Sequence, residues 1–591
     1  MNFHKRQLHH SVDFCVIGGG MAGLVASLAA ARRGAHVLLM HERPVLGGNA
    51  SSECRVHICG ADRHNAIKNM RETGILEELR LENLYRNPNR NFSIWDTLLY
   101  EKAQAEPNLE LLLNCTCQEA GMEGKKIHSV TGWQMTTQTY HTVEAKIFAD
   151  CSGDAVLAPL TGAGWRMGRE ARLEYGEAIA PEQADERTMG MTCLFQSRIY
   201  PTPQPYEPPA WAHRYNTCDE LPYGAGGHRW WQMGYWWVEL GGEAHSIYDT
   251  ETLRDELLKI TFGVWDHVKN RCPHKDEAQN WALEWVQFLP AKRESRRYLG
   301  AHVLTQNDIA AGGHFDDLVA YGGWTMDDHH PAGFHAVQVS APATHFHPAP
   351  SPYGIAYRCL YSRDISNLMF AGRDASCTHA VMSSTRVMGT ACSMAQAVGT
   401  AVALALQKGV EPAGMLEDIQ VLQQELLRDD AYLPWVKQDF SPVTARSRLT
   451  ASQGDPSPVR DGINRPVGSD CHAWTAHPGE SLAYEFEQPA LVTAVSLVLD
   501  SALDRNIAMS YHQKDPDDPN KATLTSPPPS LPRVIRLEGK TAGAWETIAL
   551  LENNYQRLVR LPIGRELEGV RFILEKTWGA ETSKVFAFYV E

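Results

Sequence analysis

The 591-residue sequence predicts an α/β domain, interrupted by an α+β insertion and followed by a C-terminal all-β sandwich. Three observations lead there. VDFCVI (12–17), GGGMAG (18–23), LVASLAAARRG (24–34) and AHVLLM (35–40) read as strand, tight turn, helix and strand, a βαβ opening. Across 155–350 that alternation gives way to proline and aromatic stretches such as YPTPQPYEPPAW and WWQMGYWW. From about 445, helix signals vanish and short alternating runs recur between turns (SLAYEF, LVTAVSLVLD, RVIRLEG, RLVRLPI, GVRFILE, KVFAFYV). That is the pattern of a jelly-roll sandwich.

The elements follow in order. Residues 66–83 and 95–106 read as helices, and LELLLNCTCQEAG with the following run reads as a strand and hairpin. AKIFAD (145–150) is a short strand, and a helix is expected over 250–270. NLMF (367–370) is an apolar strand, followed by the loop FAGRDASCTHAVMSSTR and an Ala/Gly/Val helix over about 386–408. A further helix is expected at 415–429, and the proline-rich 514–532 reads as a surface loop. The expected domains are 1–160 and 351–430 as two parts of one nucleotide-binding unit, 161–350 as a substrate-binding cap, and 431–591 as the sandwich.

A net charge of −15 argues against nucleic acid or an anionic membrane as partner, since both reward basic patches. No run of about 18 uninterrupted apolar residues occurs, so no membrane span is expected. The polar N-terminus lacks the apolar core of a secretory signal, and the expected location is cytoplasmic. The 13 cysteines are scattered and odd in number, which fits a reducing compartment. Cys115 and Cys117 form a CxC without a matching pair, and His345-Phe346-His347 is equally weak, so no metal is expected. Assembly into a homo-oligomer is left open.

Gly18, Gly20 and Gly23 give GxGxxG between strand and helix. Gly18 makes the turn, Gly20 admits a pyrophosphate to the backbone, and Gly23 allows close helix–strand packing, with Met21 and Ala22 on the helix end that meets the phosphates. This is a Rossmann-like dinucleotide fingerprint. Glu42 lies 24 residues past Gly18, against about 20 in the general rule, and either His41 or Glu42 faces the ribose. RPVLGGN, with Arg43, Gly47, Gly48 and Asn49, resembles the FAD-specific extension of the fingerprint. FADCSGDA (148–155), with Gly153 and Asp154, resembles the D-x-[ST]-G-D element of flavoproteins. NLMFAGRDAS, with Gly372, Arg373 and Asp374, resembles the late flavoprotein motif with an arginine inserted. Cys117 is counted with these cofactor-contacting positions.

Over about 12–430, and most specifically in GGNASSECRVHICGA and AGRDASCTHAVMSSTRVMGTACSMAQAVG, the chain resembles the FAD-dependent oxidoreductase family of glutathione-reductase-type architecture, in its large bacterial members. The resemblance implies FAD as cofactor. It implies that Asp374 holds ribityl or pyrophosphate and that Arg373 or Arg386 neutralises phosphate, with a structural ion pair as the other reading of either arginine. The late helix would begin near Ser383–Arg386 and turn its positive end to the flavin pyrimidine edge. No second strand-GxGxxG-helix unit appears, so the electron acceptor is unidentified.

Alcohol oxidation by flavin needs a base for the hydroxyl proton, and histidine suits that work. His379 is the first candidate and His57 the second, with Arg55 placed to fix a ligand. Cys54, Cys59 and Cys377 lack a CxxC partner, which argues against thiol redox chemistry. Trp230, Trp231, Trp236 and Trp237 would stack on sugar faces or simply alternate along a strand. DDHHPAGF (327–334) reads as a substrate-contacting loop or a metal site, and Arg358 as a further pocket residue. The C-terminal part resembles a discoidin-like, galactose-binding-type module, which turns the substrate expectation toward saccharides. The expected reaction is hydride transfer from a CH–OH group of a sugar, glycoside or polyol to flavin N5, as a small-molecule oxidation or a step in redox-assisted glycoside processing. The alternatives are oxidation of an amine or acid, and a carbohydrate-binding protein with a structural flavin.

Overall fold

The computed structural model describes residues 6–229, 231–509 and 523–591; Trp230 and 514–522 of the proline-rich stretch lie outside them. The first sheet is built from β1 (Arg6–Ile17), β2 (Val37–Met40), β3 (Leu109–Leu112), β4 (Cys115–Glu123), β5 (Lys126–Gln134) and β6 (Thr139–Asp150). Its order is β3-β2-β1-β6-β5-β4. β3, β2, β1 and β6 run parallel, while β5 and β4 return antiparallel as the hairpin the sequence suggests. The strand Leu368–Phe370 comes back more than 200 residues after β6 and pairs with it in parallel, Phe370 opposite Asp150. β2 is buried at all four positions, as a parallel strand covered on both faces must be.

The late segment returns because two apolar helices need each other. The helix α1 (Met21–Arg32) and the helix Met388–Lys408 pack through small residues, so closely that a Cβ on Gly399 would overlap the Ala26 carbonyl oxygen. By length and composition alone Met388–Lys408 is long and apolar enough to cross a membrane. It is wrapped by protein along nearly its whole length here.

Several boundaries move. α2 (Ile75–Arg86) starts at Gly74, whose φ of 71° stops the helix expected from residue 66. α3 (Phe92–Gln104) starts earlier than expected, because the Asn91 side chain accepts from the Ser93 and Ile94 amides and caps it. The strand expected at 145–150 is the end of the twelve-residue β6. The helix over 250–270 is α-helical only to Asp266 and then widens into a π turn, His267–Arg271. The late helix is broken: Thr378 caps a short helix, His379–Thr385, and the chain restarts after Val387.

Between β6 and Leu368–Phe370 lie small two- and three-stranded sheets around the helix Thr250–Asp266. Residues 230–237, read as alternating strand positions, form no strand among those described.

The C-terminal part is a seven-stranded antiparallel sheet dominated by Ser481–Leu499 and Leu558–Thr577, whose mutual register shifts twice. It closes over a core including Trp474, Tyr484, Phe572 and Phe588. Buried arginines bind it to the first domain. Arg71 donates to the carbonyls of Ser501, Ala502 and Arg505, Arg465 to those of Asn69 and Arg71, and Arg557 to the Asp430 carboxylate at 2.7 Å.

Candidate active site

One cavity of about 1330 Å³ opens where the parallel strands end. A single small-ligand site occupies about 300–1,000 Å³, so this volume admits a dinucleotide and a second molecule. Its floor is glycine backbone. Gly18 sits at φ 99°, and any side chain there would strike the backbone of Cys151 and Ser152. A Cβ on Gly23 would overlap the Gly18 carbonyl, so Gly23 sets how closely α1 meets β1 and does not line the cavity. Gly20 is bridged to Gly47, and a Cβ on it would find its nearest neighbour, Gly48 Cα, at 3.9 Å, pointing into open cavity. Gly20 caps α1 without a side chain, so the first-turn amides of Met21 and Ala22 open onto this space.

Gly47, Gly48 and Asn49 lie beside that turn, the Gly47 amide donating to the Gly19 carbonyl at 2.9 Å, and line the cavity with it. His41 and Glu42 part company here. The His41 Nδ1 accepts from the Gly19 amide at 2.9 Å and its Nε2 donates to the Val45 carbonyl at 3.1 Å. Burial, with Arg43 nearby, pushes its pKa down to about 4, so the ring is a neutral brace for the glycine turn. Glu42 is exposed and lines the cavity, its carboxylate 3.4 Å from the Arg43 guanidinium, so of the two it is the one that can face a ribose.

The 150–154 turn is a hydrogen-bonded unit. Asp150 accepts from the Ser152 amide and hydroxyl, the Leu157 amide and the Tyr298 hydroxyl. Gly153 adopts φ 74° and donates to Asp374 at 3.1 Å. Asp374 does not line the cavity; it is fully buried, and burial together with Asp150 pushes its carboxyl well above the usual range. Its carboxyl braces the Gly153 turn and does not face the cavity, a correction to its expected direct role. Arg373 is likewise committed to protein: it donates to the carbonyls of Gly153 and Lys292 and to Asp154, so the ion-pair reading describes it. Burial would raise the Asp154 carboxyl, but Arg373 and Lys292 hold it below its ordinary range. Gly372 and the buried Cys117 complete this wall.

At the other end the cavity meets the start of Met388–Lys408, with Val387, Met388 and Ala391 in its lining. His57, Cys59, Arg63, His64, Trp324, Asp327, His329 and Arg386 gather there. His57 and His64 lie with ring centroids 4.9 Å apart. Burial, and His64 beside it, push the His57 pKa down to about 3, so its imidazole is neutral. Arg63, His64 and Asn65 all sit in the left-handed region, a run of backbone strain of the kind that clusters at functional sites. His329 pairs with buried Glu239 at 2.5 Å and with Asp327 at 3.3 Å, and Arg386 reaches the same Asp327 oxygen at 3.3 Å. Trp236 lies edge-on to His329 and, with Tyr223 and Phe346, gives the cavity an aromatic side. Tyr235 and Trp237 also touch the cavity but are buried and stacked 4.8 Å apart, while Trp231 packs into the middle core.

Three expectations fail on geometry, those for His379, Arg55 and Arg358. His379 does not reach the cavity: its Nδ1 is 2.8 Å from Glu294 and its Nε2 3.2 Å from Asp328. Burial alone would lower its pKa, but the two carboxylates raise it to about 10, so the ring is already protonated and cannot serve as the base. Arg55 points away, its guanidinium over Trp285 at 4.3 Å and bonded to Gln196. Arg358 pairs with Asp317 at 3.0 Å, off the cavity. Cys54 and Cys59 do line the cavity, yet burial pushes both thiols up, Cys54 to about 12, which leaves them protonated. The sequence reading missed Lys292, Arg293, Glu239 and His64. Their segments carry no motif, and only the fold brings them together.

A glycine-floored dinucleotide cradle, with a second, histidine-bearing chamber at its end, defines an oxidoreductase that works on a nucleotide cofactor. The chain belongs to the FAD dependent oxidoreductase family, whose sequence pattern matches residues 13–426. No curated protein matches it in sequence. Among solved structures it is similar to p-nitrophenol 4-monooxygenase PnpA from Pseudomonas putida DLL-E4, at 11% identity over 71% of this chain and 87% of that one, TM-score 0.33. It is also similar to L-proline dehydrogenase from P. horikoshii, at 18% identity over 25% and 24%, TM-score 0.16. The family 32 carbohydrate-binding module of Streptococcus pneumoniae EndoD matches 26% of this chain and 99% of its own, at 10% identity and TM-score 0.19. The cradle fits the family's cofactor: the open Gly20 position, the uncapped α1 amides and the Glu42 carboxylate suit pyrophosphate and ribose.

Proposed function

We propose that this enzyme removes hydride from the CH–OH group of a neutral hydroxylated molecule, a sugar, glycoside or polyol. The observation that carries this is the state of the charges in the inner chamber. Arg386 is engaged by Asp327, Arg293 by Glu239, and Lys292 by Asp154. Arg63 donates to the carbonyls of Gly323 and Ala349. With Arg386, Arg293 and Lys292 already partnered by carboxylates, a neutral polyol fits the chamber by adding hydrogen bonds alone. This weighs against the amine or acid reading, and membership of an oxidoreductase family weighs against a purely structural flavin. The same reading takes the parallel sheet as a Rossmann-like unit and 161–350 as the inserted cap, because Leu368–Phe370 rejoins the sheet after that segment.

Bound FAD supplies the hydride acceptor. Position on the cavity wall makes His57 the proton acceptor, and substrate binding would have to raise its pKa from about 3 toward the working pH for it to act. Asp327 and His329 orient further hydroxyls, and Trp236 gives an apolar face to sugar C–H groups. The N-terminus of Met388–Lys408, which lines the cavity, would place positive potential beside a bound flavin.

The test is anaerobic stopped-flow bleaching of the flavin with a panel of sugars, polyols, amines and hydroxy acids. Polyols or sugars should bleach the wild type, and His57→Gln should slow that step by about 10²-fold with FAD content unchanged. Bleaching by amines or acids alone would refute the substrate class. An unaltered rate in His57→Gln would refute the base.

A further inference from the structure

Cys218, His228, His267 and Cys272 converge in the cap region, 8%, 1%, 0% and 3% exposed, far from any cysteine–histidine motif the sequence advertises. Their ligand atoms all lie within 4.8 Å of one another. Cys218 Sγ is 3.5 Å from His228 Nε2, 3.5 Å from His267 Nε2 and 4.0 Å from Cys272 Sγ, and His228 Nε2 is 3.3 Å from Cys272 Sγ. A tetrahedral zinc with Zn–S of about 2.3 Å and Zn–N of about 2.0–2.1 Å requires S···N edges near 3.5 Å and an S···S edge near 3.8 Å. The four edges given above, three S···N and one S···S, match that tetrahedron, and the remaining two are no longer than 4.8 Å. We propose that Cys218, His228, His267 and Cys272 bind a structural zinc ion.

The surroundings are built for it. The His267 Nδ1 faces the Tyr215 carbonyl at 3.1 Å, which leaves Nε2 as the metal-facing nitrogen. The His274 amide donates to Cys272 Sγ at 3.4 Å, the bond a thiolate ligand attracts. The π turn His267–Arg271 explains how two ligands on one chain meet, because it widens the helix so that the Cys272 amide bonds the His267 carbonyl and both side chains face one point. Cys218 opens a turn held by a reciprocal Thr217–Glu220 capping box. Two cysteines and two histidines select zinc over hard cations.

The metal also answers a structural need. Between Ile199 and Thr250 the described residues hold only two three-residue 3₁₀ turns and the two-residue strand Glu239–Leu240. Loops of such length without secondary structure are uncommon unless something ties them down. This segment supplies Tyr223 and Gln232–Trp237 to the cavity wall, so a zinc at its base would fix the aromatic side of the substrate chamber. It is a bracing site: no position is left open for substrate or water.

The experiment uses full-length, FAD-loaded protein prepared in zinc-supplemented medium and dialysed. Metal analysis should give about one zinc per chain, and Cys218→Ser and Cys272→Ser should each lose it. Cobalt added to chelator-stripped wild type should produce tetrahedral d–d bands to the red of the flavin absorption. Stripping should sharpen proteolysis within 200–280 while the flavin spectrum stays. Zinc-free wild type that takes up no cobalt would overturn the proposal, as would a Cys218–Cys272 disulfide found by thiol titration. Full zinc content in both serine variants would do the same. Should the variants fail to fold, the zinc content and cobalt spectrum of the wild type decide.

Discussion

His379 gives both ring nitrogens to carboxylates, Nδ1 to Glu294 at 2.8 Å and Nε2 to Asp328 at 3.2 Å. Arg297 anchors the same assembly through Glu294 and Glu170. The imidazolium therefore ties the short helix His379–Thr385 to the strand Met326–His329 and to the segment carrying Glu294. Its pKa is raised from an ordinary 6.5 to about 10, so its stabilising effect is whole below 6.5 and disappears as pH rises through about 10. We expect His379→Gln to lower the melting temperature most near neutral pH, with the gap to wild type closing toward alkaline pH. Flavin reduction should fall far less than in His57→Gln. A melting difference independent of pH, from calorimetry across that window, would contradict this.

His41 makes the opposite prediction. Its pKa is lowered from 6.5 to about 4, so the folded state resists protonation and loses stability as pH falls from 6.5 toward 4. Protonation would set an N–H against the Gly19 amide. FAD dissociation, followed by fluorescence, should accelerate over that interval, and His41→Ala should release FAD readily even at pH 7. Glu42→Ala should weaken FAD, by roughly tenfold for one lost charge-assisted hydrogen bond, without changing the melting temperature of the apoprotein.

The glycines separate packing from cofactor binding. Gly20→Val projects into open cavity and should give a folded, colourless protein. Gly23→Val must displace α1 from β1 and should reduce the yield of folded protein itself. Circular dichroism beside flavin absorbance distinguishes the two outcomes; a yellow Gly20→Val would refute the placement of the pyrophosphate.

Arg557→Ala leaves the Asp430 carboxylate buried without its 2.7 Å partner. Breaking a buried pair on one side costs about 3–5 kcal/mol. Denaturant unfolding should show that loss, and a change under about 1 kcal/mol would mean water reaches the pair.

The nucleotide half was legible because its signals are local. Glycine spacing, a buried four-residue strand and an alanine-rich helix each follow from a few neighbouring residues. The chamber was legible only in pieces: His57, the 327–334 stretch and Arg386 were each singled out, but they come from three distant segments and meet only through long-range packing. His379 misled for the same reason: an inviting loop histidine gives no sign of carboxylates 51 and 85 residues away. The four cap ligands were invisible because their spacings, nine residues between Cys218 and His228 and four between His267 and Cys272, match no common zinc pattern.

The arginines at the domain boundary have one further implication. Modules that travel between proteins usually dock by exchangeable surface contacts, so that a cut in the linker leaves two intact pieces. Here Arg71, Arg465 and Arg557 each reach across the boundary, so severing the chain after residue 430 would leave Arg71 with Glu77 but without its carbonyl acceptors, and would part the Asp430 carboxylate from Arg557. The β-sheet unit is therefore expected to melt together with the nucleotide-binding unit, not as a separate piece.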